Sequence, residues 1–550
     1  MQEIRLSLVS LRSTGKISCS TCRRREEGRI SLQRKHAVII GAGPAGLTAA
    51  YYFLKHTDIK PIVLEKEKFV GGISKTMNFR GNCMDIGGHR FFSKNEEVLK
   101  LWNELLPAQG APAFDDKILG RESVLTEGGA NPEEVDEVFL NRRRVSRIFY
   151  HRKFFSYPIS LSLETIRNLG LGEMFSIGIS FLKAKFSQRE ENTLEDFMVN
   201  RFGQKLYETF FRDYTTKVWG RSPKQIGADW GSQRIKGLSL GKTILDFFKK
   251  TFGFKDGAGE TSLIERFFYP KYGPGQLWEK LADDIKKLGG EVLTSTNVKS
   301  LHVVDKVVKF VRVESPAGML TFPADYFLSS MPLAELADAL DDGLNLRQLT
   351  IARGLPYRDF ITVGLLVDKL LLENHTQIKT LGNIVPDCWI YIQEPAVKLG
   401  RLQIFNNWSP YMVASPKDSV WLGLEYFCNE GDDLWNMSEE DFLAFAAAEL
   451  ALIGIIKAED IRLAVRVKVP KAYPAYFDTY ENIGELRTAL DEIKNLYCIG
   501  RNGQHRYNNM DHSMLTAMEA VRAIQSGDPS REKIWNVNAE QTYHEDKSNA

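Results

Sequence analysis

The chain has 550 residues, 43% of them hydrophobic and 26% charged, with 72 Lys and Arg against 70 Asp and Glu for a net charge of +2. That length exceeds what one simple core organises and predicts two or three lobes. The near-neutral balance argues against a nucleic-acid binder, and no run approaches the ~18 consecutive apolar residues of a membrane span.

The charge is unevenly spread. Residues 1–35 hold nine Lys and Arg against Glu3, Glu26 and Glu27. This segment lacks the apolar stretch of a secretory signal. It reads as a basic disordered tail, with a transit-like segment as the other reading. Cys19 and Cys22 form a CxxC, but Cys83, Cys388, Cys428 and Cys498 stand alone. No zinc set assembles from them, and no metal is expected. Few, scattered cysteines fit a reducing compartment, so the chain is expected in the cytoplasm.

His36 to Ile40 is a short apolar run, expected as a buried strand. It enters Gly41-Ala42-Gly43-Pro44-Ala45-Gly46, and a helix is expected from Leu47 to Leu54. A second strand, Pro61 to Leu64, ends at Glu65. Each part of this βαβ unit has a physical task. Gly41 permits the tight turn, Gly43 lets the backbone approach a pyrophosphate, and Gly46 lets helix and strand pack closely. The helix N-terminus offers N–H groups and a positive dipole end to phosphates. Glu65 can accept hydrogen bonds from ribose hydroxyls. A second glycine pair, Gly71-Gly72, then Ile73-Ser74, follows the acid and suits a cofactor that runs on past its pyrophosphate. Gly87-Gly88-His89 would bring backbone beside an isoalloxazine ring. The expected cofactor is therefore FAD, and the expected fold is α/β: a Rossmann-type FAD-binding domain built from discontinuous segments, with a mixed α+β substrate lobe.

Residues 36–106 form the first part of that domain. Residues 107–142, rich in Pro, Gly and acids, are expected as a surface insertion. Residues 143–264 mix helical patterns with aromatics and read as the first part of the substrate lobe, with Lys250 to Gly259 as a loop. Tyr269-Pro270-Lys271-Tyr272-Gly273-Pro274-Gly275 turns the chain into a helix, Leu277 to Leu288, and the strands that follow, running past Val298, return residues 265–345 to the FAD-binding domain. Residues 346–475 are expected in the substrate lobe again. Leu496 to Arg501 is a last buried strand, and a helix from Ser513 to Ser526 completes the third part of the FAD-binding domain, residues 476–530. Residues 531–550 are polar and expected as a frayed tail.

Together these blocks resemble the flavin amine-oxidase superfamily, which includes amine oxidases, protoporphyrinogen oxidases and phytoene desaturases, in their order over residues 36 to 527. Three segments carry a narrower likeness. Tyr214-Thr215-Thr216-Lys217-Val218-Trp219 is similar to a segment of UDP-galactopyranose mutases. So is the stretch from Arg501 to Ser513, and so are Trp389-Ile390-Tyr391 and Arg401 to Pro410. The resemblance implies an isomerase rather than an oxidase, a ring contraction of the UDP-galactopyranose to UDP-galactofuranose type serving polysaccharide synthesis. In that family the flavin must be reduced, with NAD(P)H a possible reductant, although the net reaction is not redox. Flavin N5 attacks the sugar's anomeric carbon while the diphosphate leaves and later returns.

The resemblance also implies roles. Arg234 and Arg401 would clamp the diphosphate, since a planar guanidinium pairs bidentately with phosphate oxygens. Tyr391 and Tyr507 would donate hydroxyls to it, Tyr214 would stack on uracil, and Trp219 would line the sugar pocket. His89 would lie beside the flavin. Arg501, Asn509, Met510 and Ser513 would contact FAD, as would Gly41, Gly43, Gly46, Glu65, Gly72, Ser74, Gly88, Val298 and Gly500. The expected partner is a UDP-sugar. Two rival readings stay open: a true FAD-dependent oxidoreductase with an apolar pocket, and a non-catalytic flavin-bound scaffold.

Overall fold

The computed structural model describes residues 34–157, 159, 163–228 and 266–538, all but Arg34 within a unit that spans Lys35–Ala550. Its organising element is a parallel sheet whose strand order is Leu496–Cys498, Tyr326–Ser329, His36–Ile40, Lys60–Leu64 and Glu291–Leu293. Three distant parts of the chain therefore share one sheet. The central strand is apolar at almost every position because both faces are covered, as parallel sheets require. Ala37 and Ile39 point into one core, with the helices Pro44–His56, Gly275–Lys287 and Met510–Ser526. Val38 and Ile40 point into the other. That second core is closed by an antiparallel meander, Asn297–Val304, Val307–Ser315 and Gly318–Pro323. Its first hairpin turns on Asp305 and Lys306, both with positive φ (53° and 59°), as a two-residue turn matched to strand twist requires.

The second lobe is a seven-stranded sheet in the order Ile461–Pro474, Tyr357–Val367, Val420–Cys428, Arg401–Ile404, Trp389–Ile392, Ser146–Tyr150 and Lys153–Ser156. All its pairings are antiparallel except that of Trp389–Ile392 with Ser146–Tyr150. One face buries an aliphatic core against the helix Glu439–Leu452. The other packs on aromatics and on the helices Leu194–Phe202 and Asp213–Trp219. The latter helix follows a π-helical turn, Glu208–Arg212, a local widening often found at functional sites.

Several expectations are corrected. The fingerprint helix begins at Pro44, whose fixed φ and missing N–H suit a first helical position, and runs to His56. The C-terminal helix begins at Met510, three residues before the expected start. Residues 107–142 are not simply a surface insertion. Ala113, Val138, Phe139 and Leu140 are fully buried, and Phe139–Arg143 pairs with Arg266–Pro270. The acids that composition assigns to the surface turn inward there: Asp115 takes a 2.8 Å ion pair from buried Arg142, and Asp116 one of 2.6 Å from Arg121. The helix Leu346–Arg353, placed by sequence with the substrate lobe, packs Ile351 and Ala352 into the core beneath the parallel sheet. The polar C-terminal segment also contributes to that domain, where Ile534 and Trp535 are buried and the Trp535 indole N–H donates to Asp491 at 2.9 Å. The CxxC, Arg234, the loop Lys250 to Gly259 and residues 539–550 lie outside the described residues.

Candidate active site

The cradle for a dinucleotide forms where the central strand meets its helix. Gly41 turns with φ +99° and donates its N–H to the Leu64 carbonyl at 2.8 Å. A Cβ on Gly46 would lie 1.9 Å from the Gly41 carbonyl oxygen, so only glycine lets the helix approach the strand this closely. Gly43 caps the helix and faces the backbone of Gly72, and a Cβ on Gly43 would lie 3.8 Å from the Gly72 Cα. The first-turn N–H groups of this helix have no partner within it and converge on the same edge. Glu65 is buried, and its carboxylate accepts from Ala42 N–H at 2.8 Å and from Glu67 N–H at 2.9 Å. It fixes the glycine turn while keeping lone pairs for a ribose hydroxyl. This bare-backbone cradle, with an anion-attracting helix end and a buried acid one strand away, fits FAD.

The remaining cofactor candidates take different places in the structure. Ser74 is buried and donates to the Gly71 carbonyl at 2.9 Å, closing the turn after the glycine pair. Val298 is buried beside the end of the second strand, where Thr296 N–H donates to the Glu65 carbonyl at 2.7 Å. Gly500 adopts φ +75°, and a Cβ there would meet Ala45 of the fingerprint helix at 2.9 Å. Asn509 caps the C-terminal helix in a capping box with His512, and Met510 and Ser513 are buried in its first turn. A Cβ on Gly88 would lie 2.5 Å from the Trp389 ring, so this glycine admits an indole.

His89 hydrogen-bonds the Gly87 carbonyl through Nδ1 at 3.1 Å. Burial, then the positive charge of Arg501, pushes its pKa down to about 4, with the Gly87 carbonyl opposing. The imidazole is neutral at physiological pH. Arg501 donates to the carbonyls of Ala472 (2.9 Å) and Asn508 (3.1 Å) and lies 4.0 Å above the Tyr507 ring. Tyr507 stacks on Tyr473 at 5.7 Å and 23°.

Beyond this pair stands Arg401. Its Nε donates to the Tyr214 hydroxyl at 3.2 Å, its Nη1 pairs with Glu425 at 3.2 Å, and it lies 5.0 Å from the Phe427 ring centre. Tyr214 meets Tyr391 edge-on at 5.8 Å, and Tyr391 packs on Tyr157 at 4.4 Å. Burial opposes the charge on Arg401, but Tyr214, Tyr473, Glu425 and Tyr507 outweigh it, and the guanidinium stays cationic. Burial raises the phenols of Tyr214, Tyr391 and Tyr473 above their usual range, so each keeps its proton. The site is thus a fixed cation ringed by protonated hydroxyls, with a neutral histidine on the cofactor side.

Trp219 is buried in the aromatic core against which Tyr214 also packs. It supports the helix that carries Tyr214. Sequence reasoning missed Glu425, Gln403 and Tyr473. Glu425 is 1% exposed and also accepts from Gln403 Nε2 at 2.9 Å. Its signal was available: it is the lone charge in Val420–Cys428, a strand buried at every position.

The family described as flavin containing amine oxidoreductase matches residues 44–525. Among curated proteins, a dihydrolipoyl dehydrogenase of Mycoplasma pneumoniae is 40% identical over 84 residues; this match spans 13% of the chain and 18% of that relative's length. Among solved structures, reduced UDP-galactopyranose mutase superposes with a TM-score of 0.71 at 19% identity, covering 92% of this chain and 97% of that one. Putrescine oxidase follows the same fold with a TM-score of 0.54 at 14% identity (90% and 99% covered). So does a fatty acid isomerase from P. acnes that produces CLA, at 0.54 and 11% (90% and 99%). At these identities the structural likenesses establish the fold alone. With the family match spanning most of its length, the chain belongs to the flavin containing amine oxidoreductase family.

Proposed function

We propose that the chain is an FAD-dependent nucleotide-sugar mutase, converting a UDP-galactopyranose-type substrate to its furanose form. One observation carries this reading: a half-buried, permanently charged Arg401 with Tyr214 on its Nε and with Tyr391, Tyr473 and Tyr507 nearby. A diphosphate that leaves and returns needs a cation that cannot lose its proton and donors that stay protonated, and this cluster supplies both. An amine or hydrocarbon substrate gains nothing from a half-buried guanidinium. The mutase has the fold of this chain over nearly its whole length, which supports the reading further.

FAD would be held by the Gly41–Gly46 turn, Gly72 and Glu65, with the Gly500 segment and the start of the Met510–Ser526 helix completing the cradle. Reduced FAD, when bound, supplies the nucleophile for the anomeric carbon. The chain's own groups do the rest. Arg401, with Arg234 as its proposed second guanidinium, holds the diphosphate. Tyr391 and Tyr507 donate hydroxyls to it, and Tyr214 supports the base. His89, kept neutral, accepts or donates a hydrogen bond beside the ring without adding charge. Glu425 aligns Arg401 and balances its charge until the diphosphate arrives.

The test is turnover of UDP-galactofuranose by purified, FAD-loaded protein with and without dithionite. Activity only after reduction is expected. Arg401→Ala should lower it by the equivalent of about 2–5 kcal/mol in the barrier, as for loss of one partner in a desolvated charge pair. Equal turnover by oxidised enzyme, or an Arg401→Ala variant within threefold of wild type, refutes the proposal. Oxygen uptake driven by an amine would favour the oxidase reading instead.

A further inference from the structure

The residues of this site ride on two separate pieces of structure, and something must set their spacing. Tyr214 lies on the helix Asp213–Trp219, while Tyr391 and Arg401 lie at the facing ends of two antiparallel strands, Trp389–Ile392 and Arg401–Ile404. The connector between those strands, residues 393–400, has no helix or strand of its own. Its carbonyls converge on one side chain. Lys217, three residues after Tyr214, donates from Nζ to the carbonyls of Leu399 (2.9 Å), Ile392 (3.2 Å) and Glu394 (3.3 Å). An ammonium has three protons, and all three are used. The amides of the same connector are held as well. The buried Glu449 carboxylate, on the helix Glu439–Leu452, accepts from Lys398 N–H at 2.5 Å and from Leu399 N–H at 3.0 Å. A cation grips the connector's carbonyls while an anion grips its amides.

The geometry points to Lys217 as a positioning residue: it ties the helix bearing Tyr214 to the hairpin bearing Tyr391 and Arg401, and so sets the width of the diphosphate site. This inference rests on the mutase reading for the identity of the ligand, but the tie itself does not. The hydrogen bonds of the Lys217 ammonium go to backbone carbonyls, so its influence runs through backbone. Burial, only partly offset by Glu449 and Glu394, lowers the ammonium's pKa to about 8, which accords with a cation drawn in from water to serve these carbonyls. A neutral, apolar side chain would take this donor from three carbonyls of buried residues, although Glu394 also accepts from Val397 N–H at 3.5 Å. The connector would then be free to drift from the helix, and a small shift in a clamp is enough to weaken it.

The experiment uses FAD-loaded full-length protein and compares wild type with Lys217→Met and Lys217→Arg by amide hydrogen exchange and by titration with UDP. In Lys217→Met the amides of Ile392, Gln393 and Gly400 should exchange at least tenfold faster. Those of the parallel sheet should be unchanged, and UDP should bind at least tenfold more weakly. Lys217→Arg, which keeps a cation and N–H donors, should recover both properties to within threefold. Unchanged exchange in the connector overturns the inference, and so does loss of UDP binding without faster exchange. If wild type does not bind UDP, the mutase reading falls, and the exchange data alone decide whether Lys217 ties helix to hairpin. Should Lys217→Met fail to fold, Lys217→Gln, which keeps two donors without the charge, is judged by the same two readouts.

Discussion

Replacing Arg401 by Met, with Glu425→Gln as its partner, asks whether the two side chains act as one unit. Arg401 is 19% exposed as a side chain and Glu425 1%, with 3.2 Å between their charged groups. Removing the arginine leaves a carboxylate buried without its cation, which costs about 3–5 kcal/mol. Glu425→Gln leaves Arg401 its bond to Tyr214 and some contact with water, so its cost is smaller, about 1.5–3 kcal/mol. The double variant should cost little more than the larger single change, giving a coupling of about 1–3 kcal/mol. The destabilisation also has a pH signature. Burial raises the Glu425 pKa, while Arg401 and then Gln403 pull it back. Without Arg401 the folded-state pKa rises further. A carboxyl raised in the folded state stabilises fully below its unfolded value, about 4.3, and loses that contribution as pH rises through the folded value. The gap between Arg401→Met and wild type should therefore widen towards pH 8 and narrow towards pH 5. In a chain of several lobes, hydrogen exchange of the strands Arg401–Ile404 and Val420–Cys428 reads the local free energy better than one global transition. Additive single costs, with coupling below about 0.5 kcal/mol, would refute the pairing argument.

Gly46→Ala should yield protein purified without flavin, because its Cβ would lie 1.9 Å from the Gly41 carbonyl oxygen and force helix from strand; flavin absorbance at the wild-type ratio would contradict this. Asp85 is buried with hydrogen bonds from Thr76 at 2.8 Å and from Tyr269, and burial raises its pKa to about 7 against those two donors. Its stabilising contribution is complete below its ordinary pKa of 3.8 and is gone once pH has risen through 7, so Asp85→Asn should gain stability over wild type progressively from about pH 4 to 7 and hold that gain above 7 in thermal melts, and a constant difference from pH 5 to 9 would refute it. His89, lowered to about 4, makes the opposite case. It stabilises above its ordinary pKa of 6.5 and loses that contribution as pH falls through 4, so its imidazole signals should stay neutral at pH 6 by NMR, and His89→Gln should be less acid-sensitive than wild type between pH 6.5 and 4.

The legible parts of this protein are those whose physics is local. The strand at His36–Ile40 has the expected bounds, and the glycine turn and Glu65 stand where their spacing puts them, because a βαβ unit closes within about thirty residues. Element ends were less legible. Pro44 reads as a loop residue until its place at the first helical position is seen, and the acids of 107–142 read as solvated until Arg142 and Arg121 are found beside them. Trp219 illustrates a different limit. A motif can mark a segment without saying which of its aromatics is buried and which stays part-exposed, since that depends on the rotation of one short helix against a sheet.

By itself, the sequence determined a dinucleotide cradle and a chain that crosses between two lobes, because glycine placement, strand periodicity and helix capping act through neighbours a few residues apart. Only the tertiary structure decided what surrounds Arg401. Tyr214 is 187 residues away in the chain. Glu425 is 24 residues away and reaches Arg401 through the register of adjacent strands. Lys217 meets its carbonyls across more than 170 residues. Such meetings depend on how a helix seats on a sheet and how strands align, which packing of the whole lobe sets and no local pattern encodes.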